Sequence, residues 1–241
     1  LSIRRQRQMC IRDRDKTERF KVESIKIMIK IYYSHTPFWR AEVLRVSLFI
    51  KDIPFEDIRV SREEFVHLIK TGFLPNGKKA PFHQLPVIEV DGKIIGQTGA
   101  IARYCGKASN LYADDNLKAA KIDQIIDAAT DITNLVSPTI REKDLDKKME
   151  DRKLLVNKFL PRWFRYLESL LLEDESTWFV EKMSIADVAI WRLLGWLTSG
   201  IIDGIPTSIV DDFPKLKNVH HQVHTHPKVQ EWMLKTYGKE I

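Results

Sequence analysis

Cysteine is scarce: the 241 residues contain only Cys10 and Cys105. Two thiols cannot build a disulfide framework, and without a Cys-x-x-Cys or a Cys/His cluster neither a metal knuckle nor dithiol redox chemistry is indicated. Long apolar runs are missing too. No stretch approaches the roughly eighteen apolar residues of a membrane span, and no apolar segment opens the chain as a secretory signal would. The expectation is a soluble, cytoplasmic protein with no membrane partner. Zinc spacing is absent among the seven histidines. His220, His221, His224 and His226 crowd one polar segment, which is expected to be a solvated helix end because metal ligands must converge in a defined geometry.

A basic surface is also lacking, although the net charge is +6. Residues 1–24 hold eight basic and four acidic side chains, a net of +4, so the other 217 residues carry only +2. That is no phosphate-binding face, and a nucleic-acid partner is not expected. The same 24 residues show no periodicity and are expected to be a disordered tail. The chain starts with Leu, and Arg5 to Arg14 resembles translated adapter sequence, which makes an artefactual tail with Met28 as the start the favoured reading. A basic targeting arm and a genuine flexible tail are the alternatives, and Asp13, Asp15 and Glu18 count against a transit peptide.

What is present is a globular composition, 44% hydrophobic and 30% charged, with room for one large domain or two modest ones. From Ile25 to Tyr33 apolar side chains alternate, putting Ile25, Ile27, Ile29, Ile31 and Tyr33 on one face of a strand. Ser34 to Pro37 interrupts it, and Pro37 suits a first helical turn. A helical pattern then runs to about Lys51. Pro54 to Val60 reads as a second strand, and Ser61-Arg-Glu-Glu64 fits a capping box opening a helix to about Lys70. Gly72 to Pro81 reads as a loop. Gln84-Leu-Pro-Val-Ile-Glu-Val-Asp-Gly-Lys-Ile-Ile-Gly-Gln-Thr98 then combines a strand entered through proline, an Asp-Gly hairpin turn, and a polar pair opening a helix. A cis bond before Pro86 is expected to leave the Leu85 backbone free for a peptide ligand, beside a helix N-terminus suited to a carboxylate.

After a polar linker, residues 108–115, everything reads helical. One amphipathic stripe contains Ile122, Ile125, Ile126, Ala129 and Ile132, and another runs from Leu154 to Leu171. Ser184-Ile-Ala-Asp187 forms a second capping box. Cys105 is expected in the core.

The order of these motifs from about Ile25 onward resembles the cytosolic glutathione S-transferase family, of the tyrosine-type, sigma-like kind. The resemblance implies an α/β plus all-α fold: a thioredoxin-like βαβαββα domain over 25–107 and an all-helical domain over 116–241. It implies glutathione as cosubstrate, no metal, and transfer of the thiolate to hydrophobic electrophiles. A hydroxyl near the end of the first strand would stabilise that thiolate. Tyr33 is favoured because it shares the Ile31 face, with Ser34 as the rival since the spacing from Tyr33 to Arg40 is one residue long. Glutathione would meet Gln97 and Thr98 through its γ-glutamyl group and the Gln84, Leu85 and Pro86 segment through its cysteinyl backbone. Arg40 and Lys70 would lie near its carboxylates, with Phe65 where related classes often carry tryptophan. Asp131 would reach the γ-glutamyl amine of the other subunit of a homodimer. The electrophile, a small molecule, would lie against Pro37, Phe38, Thr133 and Val136. A prostaglandin D synthase-like isomerase and a non-catalytic scaffold or ligand carrier are the alternative readings.

Overall fold

A computed structural model describes residues 28–173 and 177–238. The tail over 1–24 and the expected strand start at Ile25 lie outside the described residues. Four strands form one sheet in the order β2-β1-β3-β4: β1 Ile29–Tyr33, β2 Phe55–Arg59, β3 Val87–Val90 and β4 Lys93–Gly96. β2 runs parallel to β1, as the intervening helix α1 (Trp39–Ile50) requires, and β3 and β4 are antiparallel. Helices α2 (Arg62–Thr71) and α3 (Thr98–Ala108) complete this thioredoxin-like half.

Local chemistry explains the joints. Ser61 and Glu64 form the predicted box at the start of α2, with Ser61 N–H donating to Glu64 Oε2 at 2.7 Å and Glu64 N–H to Ser61 Oγ at 3.2 Å. Asp91 and Gly92 both have positive φ, +47° and +80°, as a two-residue turn between twisted strands requires. The Leu85–Pro86 bond is cis, as the sequence predicts.

The helical half contains α4 (Asn116–Arg141), α5 (Leu145–Leu154), α6 (Leu160–Glu173), α7 (Ile185–Leu197), α8 (Pro214–His224) and α9 (Pro227–Tyr237). The Leu154 to Leu171 stripe is not one regular helix: a π turn, Leu155–Phe159, separates α5 from α6. Pro161 follows directly, and a residue without N–H cannot continue the ordinary ladder. No helix among the described residues is long and apolar enough to cross a membrane.

The alternation of β1 divides the interior. Ile29 and Ile31 join α1, α3 and the helical half in one large core. Tyr32 points to the opposite face, with Val60, Leu68, Leu74, Ala80 and Val87. There its hydroxyl donates to Glu89 Oε2 at 3.0 Å and accepts from Asn76 Nδ2 at 2.7 Å, while Lys78 Nζ holds the other Glu89 oxygen at 2.6 Å. Cys105 lies in the large core, its thiol pushed up to about 12 by burial.

The histidine segment corrects the expectation of a solvated end in part: His221 is exposed, but the others are half-buried. His220 and His224 stack with ring centroids 5.7 Å apart, and His220 is pushed down to about 4 by burial and by the neighbouring His224 and Arg192. Their i, i+4 spacing turns both toward α7. His226 accepts the Lys228 N–H and caps α9. Among the described residues no group of His, Cys, Asp and Glu is arranged to hold a metal.

Candidate functional site

Strand register assembles the site. β1 pairs with β3 so that Tyr32 faces Val87, and β3 with β4 so that Val87 faces Gly96. Continued by one residue past the last paired positions, the two registers bring Tyr33, Pro86 and Gln97 side by side in a row at the end of the sheet. Strands about 4.8 Å apart make that row about 10 Å long, the span of an extended tripeptide.

Each position in the row has its own physical character. Tyr33 sits half-buried at the β1 end, and its hydroxyl bonds to no described residue. Burial raises its phenol to about 12, against the pull of the Arg40 and Arg45 guanidinium groups. It is therefore a neutral O–H donor at physiological pH, not a base. Leu85 lies outside the ladder, which begins at Val87. Gln97 is exposed and has φ +73°, a conformation that a non-glycine residue adopts only under constraint from its surroundings. Its side chain makes no capping bond to α3, so the first-turn N–H groups of that helix stay available. Thr98, the first residue of α3, is buried.

The loop between β1 and α1 is held chiefly by arginines. Arg45 Nη2 donates to the Ser34 carbonyl at 3.3 Å, Arg59 Nη1 to that of His35 at 3.4 Å, and Arg192 Nε to that of Pro37 at 2.7 Å. Arg45 is fully buried with Glu42, 2.8 Å away, and reaches Asp57 at 2.9 Å, which also pairs with Arg59. The C-terminal helix closes this network: Trp232 Nε1 donates to Glu42 Oε2 at 2.8 Å and the Tyr237 hydroxyl to Glu42 Oε1 at 2.6 Å. Sequence reading misses Glu42, Arg45 and Arg192 as site supports. The available signal is a charge on the apolar face of a helix, because such a charge stays buried only when it has partners.

A cis-proline strand entry beside a helix N-terminus, on a thioredoxin-like sheet joined to a helical half, matches a known family. The model of the glutathione S-transferase N-terminal domain covers residues 29–107, and that of the C-terminal domain covers residues 130–236. The chain belongs to the glutathione S-transferase family. It is 28% identical over 197 residues to hematopoietic prostaglandin D synthase of Mus musculus, covering 81% of this chain and 90% of that protein. Over 215 residues it is 28% identical to a glutathione S-transferase of Anopheles gambiae, covering 88% of this chain and 98% of that one. The solved structure of prostaglandin synthase D of Nilaparvata lugens superposes with a TM-score of 0.74 at 28% identity, covering 86% of this chain and 98% of that one.

The remaining candidates of this transferase differ in their surroundings. Gln84 and Lys70 are exposed, Lys70 in the last turn of α2, and Phe65 is half-buried against the Tyr32 side of the sheet. Arg40 is half-buried beside Tyr33, its Nε enclosed without a partner and its pKa lowered by burial. Asp131 is exposed on α4. Thr133 and Val136 do not form an open electrophile wall. They are 1% and 0% exposed, and the Thr133 hydroxyl accepts Trp39 Nε1 at 2.8 Å while donating to the Ala129 carbonyl at 2.8 Å. Thr133 ties α1 to α4, and both positions are buried. Pro37 and Phe38 remain half-buried at the loop.

Proposed function

We propose that this protein transfers the thiolate of glutathione to small hydrophobic electrophiles in the cytoplasm, with glutathione as cosubstrate and no metal in the step. The observation that carries the reading is the Tyr33–Pro86–Gln97 row. It puts a neutral phenolic donor at one end of an extended clamp and helix N–H groups at the other. Glutathione laid along it would pair its cysteinyl backbone with Leu85 and its γ-glutamyl carboxylate with the α3 N-terminus at Gln97 and Thr98. Its sulfur would then meet Tyr33. A hydrogen bond to the charged form lowers the thiol pKa from about 8.5 toward neutrality. The electrophile beside Pro37 and Phe38 gains proximity to the sulfur, with no acid–base step asked of the protein.

The test is a steady-state assay with glutathione and 1-chloro-2,4-dinitrobenzene. Turnover by the wild type and by Ser34→Ala at comparable rates is expected. Retention on immobilised glutathione without turnover would instead favour a ligand carrier, and loss of turnover in Ser34→Ala would move the hydroxyl role to Ser34. The relatives named as prostaglandin D synthases support a second reading, an isomerase using the same thiolate, and a prostaglandin endoperoxide as substrate separates the two.

We also propose a homodimer in which Asp131 approaches the other subunit's glutathione. Val66, Ile69 and Phe73 project from α2 and its exit at i, i+3, i+7 spacing and are 42%, 45% and 44% exposed, with Phe82 at 56% nearby in sequence. An apolar stripe of this kind is suited to a protein interface. Light scattering on a sizing column should give about twice the mass of one chain, and Asp131→Ala should weaken glutathione binding several-fold. A monomer with full glutathione affinity would overturn the shared site.

A further inference from the structure

Arg192 lies in the middle of α7, inside the apolar run Val188-Ala-Ile-Trp-Arg-Leu-Leu-Gly-Trp196, and is 3% exposed. No carboxylate pairs with it among the described residues. Its Nε donates to the Pro37 carbonyl at 2.7 Å, across 155 positions of sequence, and its Nη1 is buried without a partner. The other two arginines on this loop differ in that respect, since Arg45 has Glu42 and Asp57 and Arg59 has Asp57. The charge of Glu42, itself bound to Arg45, reaches Arg192 without a direct ion pair, and an enclosed guanidinium held that way is costly, so an aliphatic residue of similar volume would ordinarily serve packing better. The surroundings are nevertheless fitted to it. A Cβ on Gly195 would lie 2.5 Å from Arg192 Nη1, so glycine at that position lets the guanidinium lie along α7. One turn after Arg192, the Trp196 ring meets Phe38 edge-on with centroids 4.9 Å apart. The helix thus grips two consecutive loop residues, one by its backbone and one by its ring.

We infer that Arg192, together with Trp196, is a positioning residue for the electrophile side of the site, holding Pro37 and Phe38 where they face the glutathione sulfur. The inference rests on the proposed glutathione reading. Tyr33 ends β1 and the Leu85–Thr98 clamp flanks β3 and β4, whereas Pro37 and Phe38 lie outside any strand, with Phe38 opening α1 as its N-cap, and the grip from α7 sets where the Pro37 carbonyl and the Phe38 ring lie. Loss of the guanidinium therefore loosens the wall against which the second substrate packs and leaves the tripeptide clamp in place.

The affinity ratio between S-hexylglutathione and glutathione, measured by calorimetry, tests this without turnover, because the hexyl chain reads the wall and the tripeptide reads the clamp. In Arg192→Met the ratio is expected to fall about 5- to 10-fold, with glutathione affinity within about twofold of wild type and the thermal midpoint unchanged or raised. Arg192→Lys, which restores a donor, should recover part of the ratio. For an aromatic electrophile the KM should rise with kcat largely kept. An unchanged ratio in Arg192→Met, or a fall matched by an equal fall in glutathione affinity and midpoint, would overturn the inference while leaving the transferase reading intact. Wild-type protein that binds neither ligand would remove both.

Discussion

Replacement of Asp187 by alanine should lower the melting temperature by roughly 6–12 °C, about 3 kcal/mol for a chain of this size. Asp187 is fully buried at the third position of α7. It accepts from the Ser184 N–H at 2.8 Å, the Ser184 hydroxyl at 2.9 Å and the Phe179 N–H at 3.2 Å. Alanine strands two backbone donors away from water, at about 1–3 kcal/mol each, and removes the reciprocal cap. Part of that loss is offset because an enclosed carboxylate is itself unfavourable: burial raises Asp187 from 3.8 to about 6 even against its hydrogen bonds. The pH dependence follows from this shift. Between about pH 4 and 6 the folded chain holds a proton at Asp187 that the unfolded chain has released, so this residue's contribution to stability is largest at low pH and declines as pH rises through 6. The gap between wild type and Asp187→Ala should accordingly widen as pH falls from 7 toward 4.5, with effects common to both proteins, such as the titration of His220, cancelling in the difference. A midpoint within about 2 °C of wild type at all pH values would contradict the buried-cap account.

The second large effect concerns the chemistry. Tyr33→Phe should reduce kcat/KM for conjugation about 10²-fold, or about 2.7 kcal/mol of transition-state stabilisation. The phenylalanine ring keeps the packing under the Arg45 guanidinium, which lies 5.8 Å from the Tyr33 ring centroid, so the change isolates the hydroxyl. A hydrogen bond to a charged group is worth about 1.5–3 kcal/mol, and its loss moves the bound thiol up by roughly one to two pKa units. The acid limb of the pH–rate profile should shift by that amount, visible also in the ultraviolet absorbance of the bound thiolate, while glutathione affinity stays within about threefold. Tyr33 itself, at about 12, remains protonated across the assay range, so the limb reports the thiol. More than half of wild-type activity in the phenylalanine variant would remove Tyr33 from the mechanism.

The two cases differ in how far the sequence alone leads to them. The Asp187 cap is legible because a capping box is a local pattern, four residues long, whose partners are its own neighbours. The same holds for Ser61 and Glu64 and for the Asp91-Gly92 turn. The face that Tyr33 takes is legible through strict alternation in β1, which sends it one way and Tyr32 the other. Thr133 and Val136 are expected beside the electrophile from the resemblance alone, which says nothing of what covers them in this chain: both are buried, and Trp39 binds the Thr133 hydroxyl. Of the histidines, His221 is exposed as polarity suggests, while α7 lies over His220 and His224 through Gly195 and Trp191. Glu42 and Arg45 pair across one turn of α1, but such a pair reads equally as a solvated helix face until the distant Trp232 and Tyr237 are known to cover Glu42, and Arg192 is ambiguous until its acceptor, the Pro37 carbonyl, is known.

That distance also bears on when the site comes into being. The Pro37 carbonyl is secured from 155 positions away, and Glu42 is secured by Trp232 and Tyr237 from 190 and 195 positions away. Contacts of such long range close large loops and are entropically expensive until most of the chain is already in place. The sheet that carries Tyr33 is built from the first hundred residues, but the loop beside it needs Arg192 of α7, and Glu42 beneath it needs α9. Along the folding coordinate, the support beneath this loop should therefore settle later than the sheet that carries the clamp.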